Sequence, residues 1–209
     1  SKVADSVNIE FACRAWKIAA TDLNQGVVYG IDTPETTAYP ELNTSFHYDA
    51  VFGTVLNRFI VQAVAGEALT VYGKGGQTRG FLNIVDTLQC VELAVLNPPS
   101  RGERMRVMNQ FTEEFSVLEL AHRVKKVARA LGYILEIVHL PNPRVEAEAH
   151  YYQPEHTALP KLGLQPHHLT DEVITSMIQK GEAAKKKING ESIRPAGQWD
   201  PMRLDVASP

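Results

Sequence analysis

Between Lys2 and Ile18, apolar residues fall at Val3, Val7, Phe11, Ala15 and Ile18, with Ala12 and Trp16 beside them. That spacing predicts a helix with one broad apolar stripe. Ala19 to Leu23 reads as a short strand. Asn24-Gln25-Gly26 follows, and then the apolar Val27-Val28-Tyr29, ending at Gly30. Residues 31–49 are polar and interrupted by Pro34 and Pro40, which predicts a long surface loop. A second helix is predicted from about Phe52 to Ala65, stopped by Gly66. Leu69-Thr70-Val71-Tyr72 is β-prone and runs into the glycine cluster Gly73-Lys74-Gly75-Gly76. Phe81 to Val85 reads as a further strand. Asp86 is placed to cap a helix carrying Leu88, Val91, Leu93, Ala94 and Leu96, which Pro98 and Pro99 close.

Met105 to Met108 reads as a strand. Ser116-Val117-Leu118-Glu119 has the form of a capping box and opens a helix ending at Gly132. Leu135 to Leu140 is a strand stopped by Pro141, and residues 142–166 are irregular and rich in His, Tyr and Pro. Thr170 caps a last helix of four to five turns, and the tail beyond Gly190 is expected to be loosely held. Strands and helices alternate throughout, so the fold class is α/β. No Gly-x-Gly-x-x-Gly turn follows an early strand, and there is no room for the several βαβ units of a dinucleotide-binding domain. By this reading the chain cannot build a whole dinucleotide site by itself.

Composition narrows the function classes. A chain of 209 residues with 44% hydrophobic and 22% charged content suits one globular domain or two small ones. A formal net charge of −3 offers nothing to nucleic acid, and the run Lys185-Lys186-Lys187 reads as a solvated face of a late helix. No apolar run reaches the ~18 residues needed to span a bilayer, and the amino terminus has no signal-peptide pattern. Cys13 and Cys90 sit in apolar periodic stretches without metal-ligand spacing, so buried free thiols in a reducing compartment are expected and no metal is implied. Histidines 47, 150, 156, 167 and 168 fall in irregular segments and read as solvated or as local hydrogen-bond partners; with Tyr151 and Tyr152, His150 is a candidate border of a pocket.

Three stretches are hard to explain as generic core: Asp22-Leu23-Asn24-Gln25-Gly26-Val27-Val28-Tyr29-Gly30, Asp49 to Phe59, and Leu69-Thr70-Val71-Tyr72-Gly73-Lys74-Gly75-Gly76-Gln77-Thr78-Arg79-Gly80 leading into Asp86. They resemble the carboxyl-terminal part of the extended short-chain dehydrogenases, in the NAD-dependent epimerase/dehydratase superfamily. The fuller strings, with Pro141-Asn142-Pro143-Arg144-Val145-Glu146-Ala147-Glu148, resemble the UDP-sulfoquinovose synthase family in particular, and the similarity runs from Ser1 to about residue 175.

That resemblance implies a division of labour. Residues 1–50 would be the remnant of a Rossmann-type domain, and residues 51–190 mainly a UDP-sugar domain with about 80–110 returning to the Rossmann sheet. Residues 191–209 would be a tail. Ser1-Lys2 matches the end of a Tyr-x-x-x-Lys pair, so Lys2 would be the catalytic lysine that binds the nicotinamide ribose and depresses the tyrosine pKa. Its tyrosine would stand before the first residue, and the chain alone is expected to be inactive. Val28 would line the nicotinamide pocket. Many relatives carry asparagine where Val27 stands, so Gln25 first and Asn24 second are expected to meet a sugar hydroxyl. Arg79 and Arg144 would grip the diphosphate, because guanidinium pairs match phosphate geometry bidentately.

Amides from Gly53 to Leu56, at a helix start, would face the uridine diphosphate, with Thr54, Val55 and Leu56 as contacts. Thr70-Val71-Tyr72 would read the uracil edge by backbone hydrogen bonds, Tyr72 packing beside the ring, and Gln77 would reach ribose or phosphate. The implied reaction takes UDP-glucose and sulfite to UDP-sulfoquinovose with bound NAD, in a bacterial cytoplasm or a chloroplast stroma. A homodimer is expected, with no membrane insertion. Two other readings stay open: another UDP-sugar epimerase or dehydratase, and an inactive UDP-sugar-binding fragment.

Overall fold

A computed structural model describes residues 2–43, 46–49, 52–100, 103–142 and 152–193, with Lys2 described in its backbone alone. The chain divides into two compact units, one formed by Ser1–Asn43, Arg79–Glu114 and Tyr152–Leu169, the other by Thr44–Thr78, Phe115–Tyr151 and Thr170–Pro209.

The first unit opens with α1 (Lys2–Trp16), which packs on β1 (Ala20–Gln25) and β5 (Met105–Gln110). These strands run parallel in one-to-one register, Ala20 opposite Met105 through Gln25 opposite Gln110. β2 (Val27–Tyr29) pairs parallel with β4 (Thr78–Asn83), and β6 (Glu113–Ser116) completes a sheet in the order β2-β4-β6. β1 extends two residues past the predicted strand, so Asn24 and Gln25 end it. The predicted loop at 31–49 contains a short helix, α2 (Pro34–Ala38), because Thr33 and Thr36 form a reciprocal capping box around a proline-initiated turn.

α4 (Ile84–Leu96) also begins differently from the expectation. Asn83, not Asp86, is its cap: the Asn83 side chain accepts from the Val85 amide. Asp86 is instead fully buried in the first turn. Its carboxylate accepts from the His167 amide at 2.9 Å, meets the His167 ring at 2.6 Å, and accepts from Gln89 at 3.2 Å. A buried carboxylate so partnered ties the returning segment 162–169 to α4. Leu82, Cys90, Met108, Leu159 and Leu164 form the core of this unit, with α6 (Ala158–Lys161) supplying Leu159 inside the stretch expected to be irregular. Tyr29 is 1% exposed, and its hydroxyl donates to Glu113 at 2.6 Å; the same carboxylate accepts from the Leu169 amide at 2.8 Å.

The second unit stacks α3 (Val55–Ala65), α5 (Val117–Ala130) and α7 (Asp171–Ala183) around Leu56, Phe59, Ile60, Val124, Ile174 and Met177. Ser116 caps α5 as its sequence predicts, and Thr170 caps α7. β3 (Leu69–Tyr72) pairs parallel with β7 (Ile137–Leu140). The Lys185–Lys187 run forms a 3-10 turn just past α7, and α8 (Gly190–Ile193) buries Ile193 where a loose tail was expected. Among the described residues no helix is long and apolar enough to cross a membrane. Both thiols are buried and free; burial pushes Cys90 up to about 11, against an opposing hydrogen bond from Gln110.

Asp86→Ala is expected to lower the unfolding free energy by about 2–4 kcal/mol, since it strands the His167 amide and Gln89; urea denaturation followed by circular dichroism measures this. Only thiolate reacts with disulfide reagents, so at pH 8, about three units below its pKa, Cys90 should remain unmodified in the folded chain and react once urea is added.

Candidate functional site

In an open α/β sheet, ligands collect outside the carboxyl ends of parallel strands, where the departing loops diverge. β1 and β5 end side by side and leave such a cleft of about 480 Å³. α1 contributes Asp5, Ser6 and Ile9; β1 and its turn contribute Asp22 through Gly26; Asn109, Phe111, Tyr152 and Pro154 complete it. Ser6 donates to Asp22 at 2.5 Å, tying the helix to the strand at the floor of the cleft. The lining combines carboxylates, carboxamides and two aromatic rings, a surface suited to neutral hydroxyl-bearing ligands. No Lys or Arg stands among the described residues that line it.

The sequence-derived candidates of this unit fall unevenly. Asn24 and Gln25 both line the cleft. Lys2 is the first residue of α1, and Asp5 and Ser6 of the next turn reach the cleft, but the Lys2 side chain lies outside the described residues. Val28 packs, partly buried, against the core of Leu82, Cys90 and Met108 and is not part of the cleft lining. Arg79 is the second residue of β4 and partly buried. Arg144 lies outside the described residues.

Tyr152 closes the cleft through a contact that sequence reasoning left vague. Its hydroxyl accepts from the Gly80 amide at 2.9 Å. Residue 80 has to be glycine: a Cβ there would stand 2.6 Å from the Phe111 ring and 2.9 Å from the Tyr152 hydroxyl. Phe111 in turn meets the His156 ring at 4.3 Å and the Tyr152 ring at 6.2 Å between centroids.

In the second unit, α3 begins at Val55 rather than near Phe52, because Thr54 is its cap and accepts from the Asn57 amide. The expectation of open amides from Gly53 onward is corrected at its first residue: Gly53 donates to the Asp49 carbonyl at 3.1 Å and is not an open donor at the helix head. A Cβ at Gly53 would collide with the Tyr48 and Asp49 backbone, so only glycine admits this turn. Leu56 and Val71 are fully buried, so neither presents its side chain to a ligand.

β3 shows a feature the sequence reading missed. Leu69 donates to Glu136 and Gly73 to Leu140, so the alternation of the ladder turns the amides of Thr70 and Tyr72 to the opposite edge. Thr70 is already engaged there. Its amide donates to Gln62 at 3.1 Å, its hydroxyl accepts from Gln62 at 2.8 Å, and its carbonyl accepts from Arg58 at 3.2 Å. The Thr70 backbone is therefore not open for a base, and Tyr72 is the residue of β3 that faces this edge beyond the two pins. The Arg58 guanidinium also stands 5.4 Å from the centre of the Tyr72 ring. Burial lowers its pKa from the ordinary arginine value, with Tyr72 acting in the opposite direction. Arg58 Nε and the Oε1 of the buried Gln77 are without hydrogen-bond partners. The spacing of Arg58 and Gln62, four apart on one face of α3, was the signal that could have found them. Among the described residues no group of three or more His, Cys, Asp or Glu could hold a metal ion.

The fold class is that of UDP-sugar epimerases. Despite 19% identity, a UDP-glucose 4-epimerase from Thermotoga maritima, solved with UDP-glucose, superposes with a TM-score of 0.66 over 90% of this chain and 53% of its own. The Thermus thermophilus UDP-glucose 4-epimerase, solved with NAD, gives 0.64 at 19% identity over 87% of this chain and 52% of its own. Both are extended short-chain dehydrogenases of the NAD-dependent epimerase/dehydratase superfamily. Within that class the sequence is similar to UDP-sulfoquinovose synthases. It is 56% identical to the chloroplastic enzyme of Spinacia oleracea over 95% of this chain and 41% of the relative. The synthase of Sulfolobus acidocaldarius is 46% identical over 86% of this chain and 45% of its own length. The chain thus spans about two fifths of the curated relatives it matches. No family model matches it.

Arg58→Met is expected to lower the unfolding free energy by about 1–2 kcal/mol, through loss of the Thr70 hydrogen bond and the Tyr72 ring contact. A urea titration tests this; an unchanged midpoint would show that Arg58 does not pin β3.

Proposed function

We propose that this chain supplies the UDP-sugar-binding part of a UDP-sulfoquinovose synthase, which takes UDP-glucose and sulfite to UDP-sulfoquinovose and water with NAD. The observation that carries the reading is identity of 56% along 95% of the chain to a synthase of that activity. A cleft lined by the two carboxamides expected to meet a sugar supports it.

In this reading Gln25 and Asn24 orient hexose hydroxyls. The Val55 and Leu56 amides, with Thr54, face the diphosphate at the positive end of α3, and Arg79 and Arg144 neutralise it. The Tyr72 edge of β3 reads the uracil, while Thr70 and Val71 hold that strand in shape. Gln77, with an unpartnered oxygen already desolvated, accepts a hydrogen bond from a ribose hydroxyl.

For the nicotinamide end of a dinucleotide, Lys2, at the head of the helix whose next turn lines the cleft, would hold the ribose hydroxyls, while Val28, packed against the core, would support that end from behind the lining. NAD, if bound there, would supply a reversible hydride acceptor for C4 of the sugar. Oxidation at C4 acidifies the C5 proton, water leaves across C5 and C6, sulfite adds at C6, and C4 is reduced again. Sulfite is an anion, and the described lining of the cleft carries Asp5 and Asp22 but no cation, so its charge is met by groups outside that lining. Val3, Val7 and Phe11 on α1 are 59–80% exposed, in keeping with a homodimer built on this helix. A chloroplast stroma or bacterial cytoplasm is the proposed compartment.

The complete reading frame that encodes this chain, purified and incubated with UDP-glucose, NAD and labelled sulfite, is expected to form a sulfonated UDP-sugar. UDP-galactose appearing in its place, with no label in the sugar, would overturn this reading in favour of an epimerase.

A further inference from the structure

Asn24 and Asn109 are direct partners across the parallel pair β1–β5, and their side chains meet at the mouth of the cleft. Asn109 Nδ2 donates to the Glu155 carbonyl at 2.7 Å, and Asn109 Oδ1 accepts from Asn24 Nδ2 at 3.3 Å. The direction of this chain of bonds is set at its far end. A backbone carbonyl can only accept, so the Asn109 atom facing Glu155 must be the amide nitrogen. The Asn109 oxygen is thereby turned to Asn24, which must answer with its own nitrogen. Asn24 is left with its Oδ1 and the second hydrogen of Nδ2, and the oxygen is the polar atom that Asn109 does not engage at all.

Glu155 is a fixed starting point because its segment is fastened on both sides. Tyr152 accepts the Gly80 amide at 2.9 Å, and His156 stacks 4.3 Å from Phe111. The carbonyl therefore does not follow Asn109; Asn109 follows it.

We propose that Asn109 is a positioning residue that presents Asn24 to the cleft as a hydrogen-bond acceptor, so that the cleft selects a hydroxyl donor of the sugar. The proposal rests on the UDP-sugar reading above. An unoriented carboxamide would offer nitrogen and oxygen in turn, and would bind hydroxyls and acceptor-only groups alike. An oriented one favours the hydroxyl and penalises a group that cannot donate.

The test is the hexose increment, the ratio of the Kd for UDP to the Kd for UDP-glucose, measured by calorimetry on the complete NAD-loaded protein. Asn109→Leu keeps the bulk but neither accepts nor donates, and is expected to reduce the ratio about fivefold to tenfold, leaving UDP affinity unchanged. Asn109→Asp still accepts from Asn24 Nδ2 while losing the bond to Glu155, and is expected to retain most of the ratio. Should Asp lower it as far as Leu, Asn109 merely fastens residues 152–157 and the proposal falls. It falls equally if neither variant changes the ratio. A parent protein that binds UDP-glucose no better than UDP overturns the UDP-sugar reading itself, and this inference with it. Asn109→Ala carries the same expectation as Leu and replaces it if the leucine variant does not fold.

Discussion

The register of β1 against β5 is the constraint on which the first unit depends. Six residues of each strand match one for one, so both strands end together and their loops part at the same level, leaving the cleft between them. Side chains alternate with period two, so a slip of one residue would do more than move the cleft. Asn24 would then oppose Met108 or Gln110, both buried, and Leu23 would lose its place against the core around Met108. Burial of that core and orientation of the cleft carboxamides are consequences of the same alignment.

A similar economy governs the second unit. One face of α3 carries Arg58 and Gln62, and both reach down to Thr70, so a single helix turn holds the amide, hydroxyl and carbonyl of one strand residue. The next residue toward the same edge, Tyr72, is then presented in a defined position beneath the Arg58 guanidinium. Holding a strand edge straight by side chains from a helix takes the place of a further strand on that side, and it keeps the edge from pairing with another chain.

Much of this was legible in the residues. Apolar spacing located α1, α3 and most of the strands, though not β6, because helical and extended periods differ enough to be told apart over ten residues. Ser116 and Thr170 announced their helices, since a hydroxyl followed by a first turn is a local interaction. The errors came where two local solutions compete. Asn83 and Asp86 both could cap α4, and only the arrival of the His167 amide and ring from 81 positions away draws Asp86 into the interior. Thr33 hid a helix among prolines that read as a loop. The placing of Gln25 and Asn24 came from a motif resemblance and Tyr152 was named only as a pocket border, whereas Arg58, Gln62 and Asn109 were given no role.

By itself, then, the sequence determined the α/β class, the order and type of most elements, the burial of both cysteines and the stretches that resemble a UDP-sugar site, because each of these is written in neighbours along the chain. Tertiary structure alone decided which end of a carboxamide faces the cleft, which carboxylate is buried and which backbone edge stays open. Those outcomes turn on partners that meet across the sheet or from a returning segment: Asn24 with Asn109 across 85 positions, Gly80 with Tyr152 across 72. A hydrogen bond has a direction only once its partner is in place, and spacing along a chain carries no record of that partner.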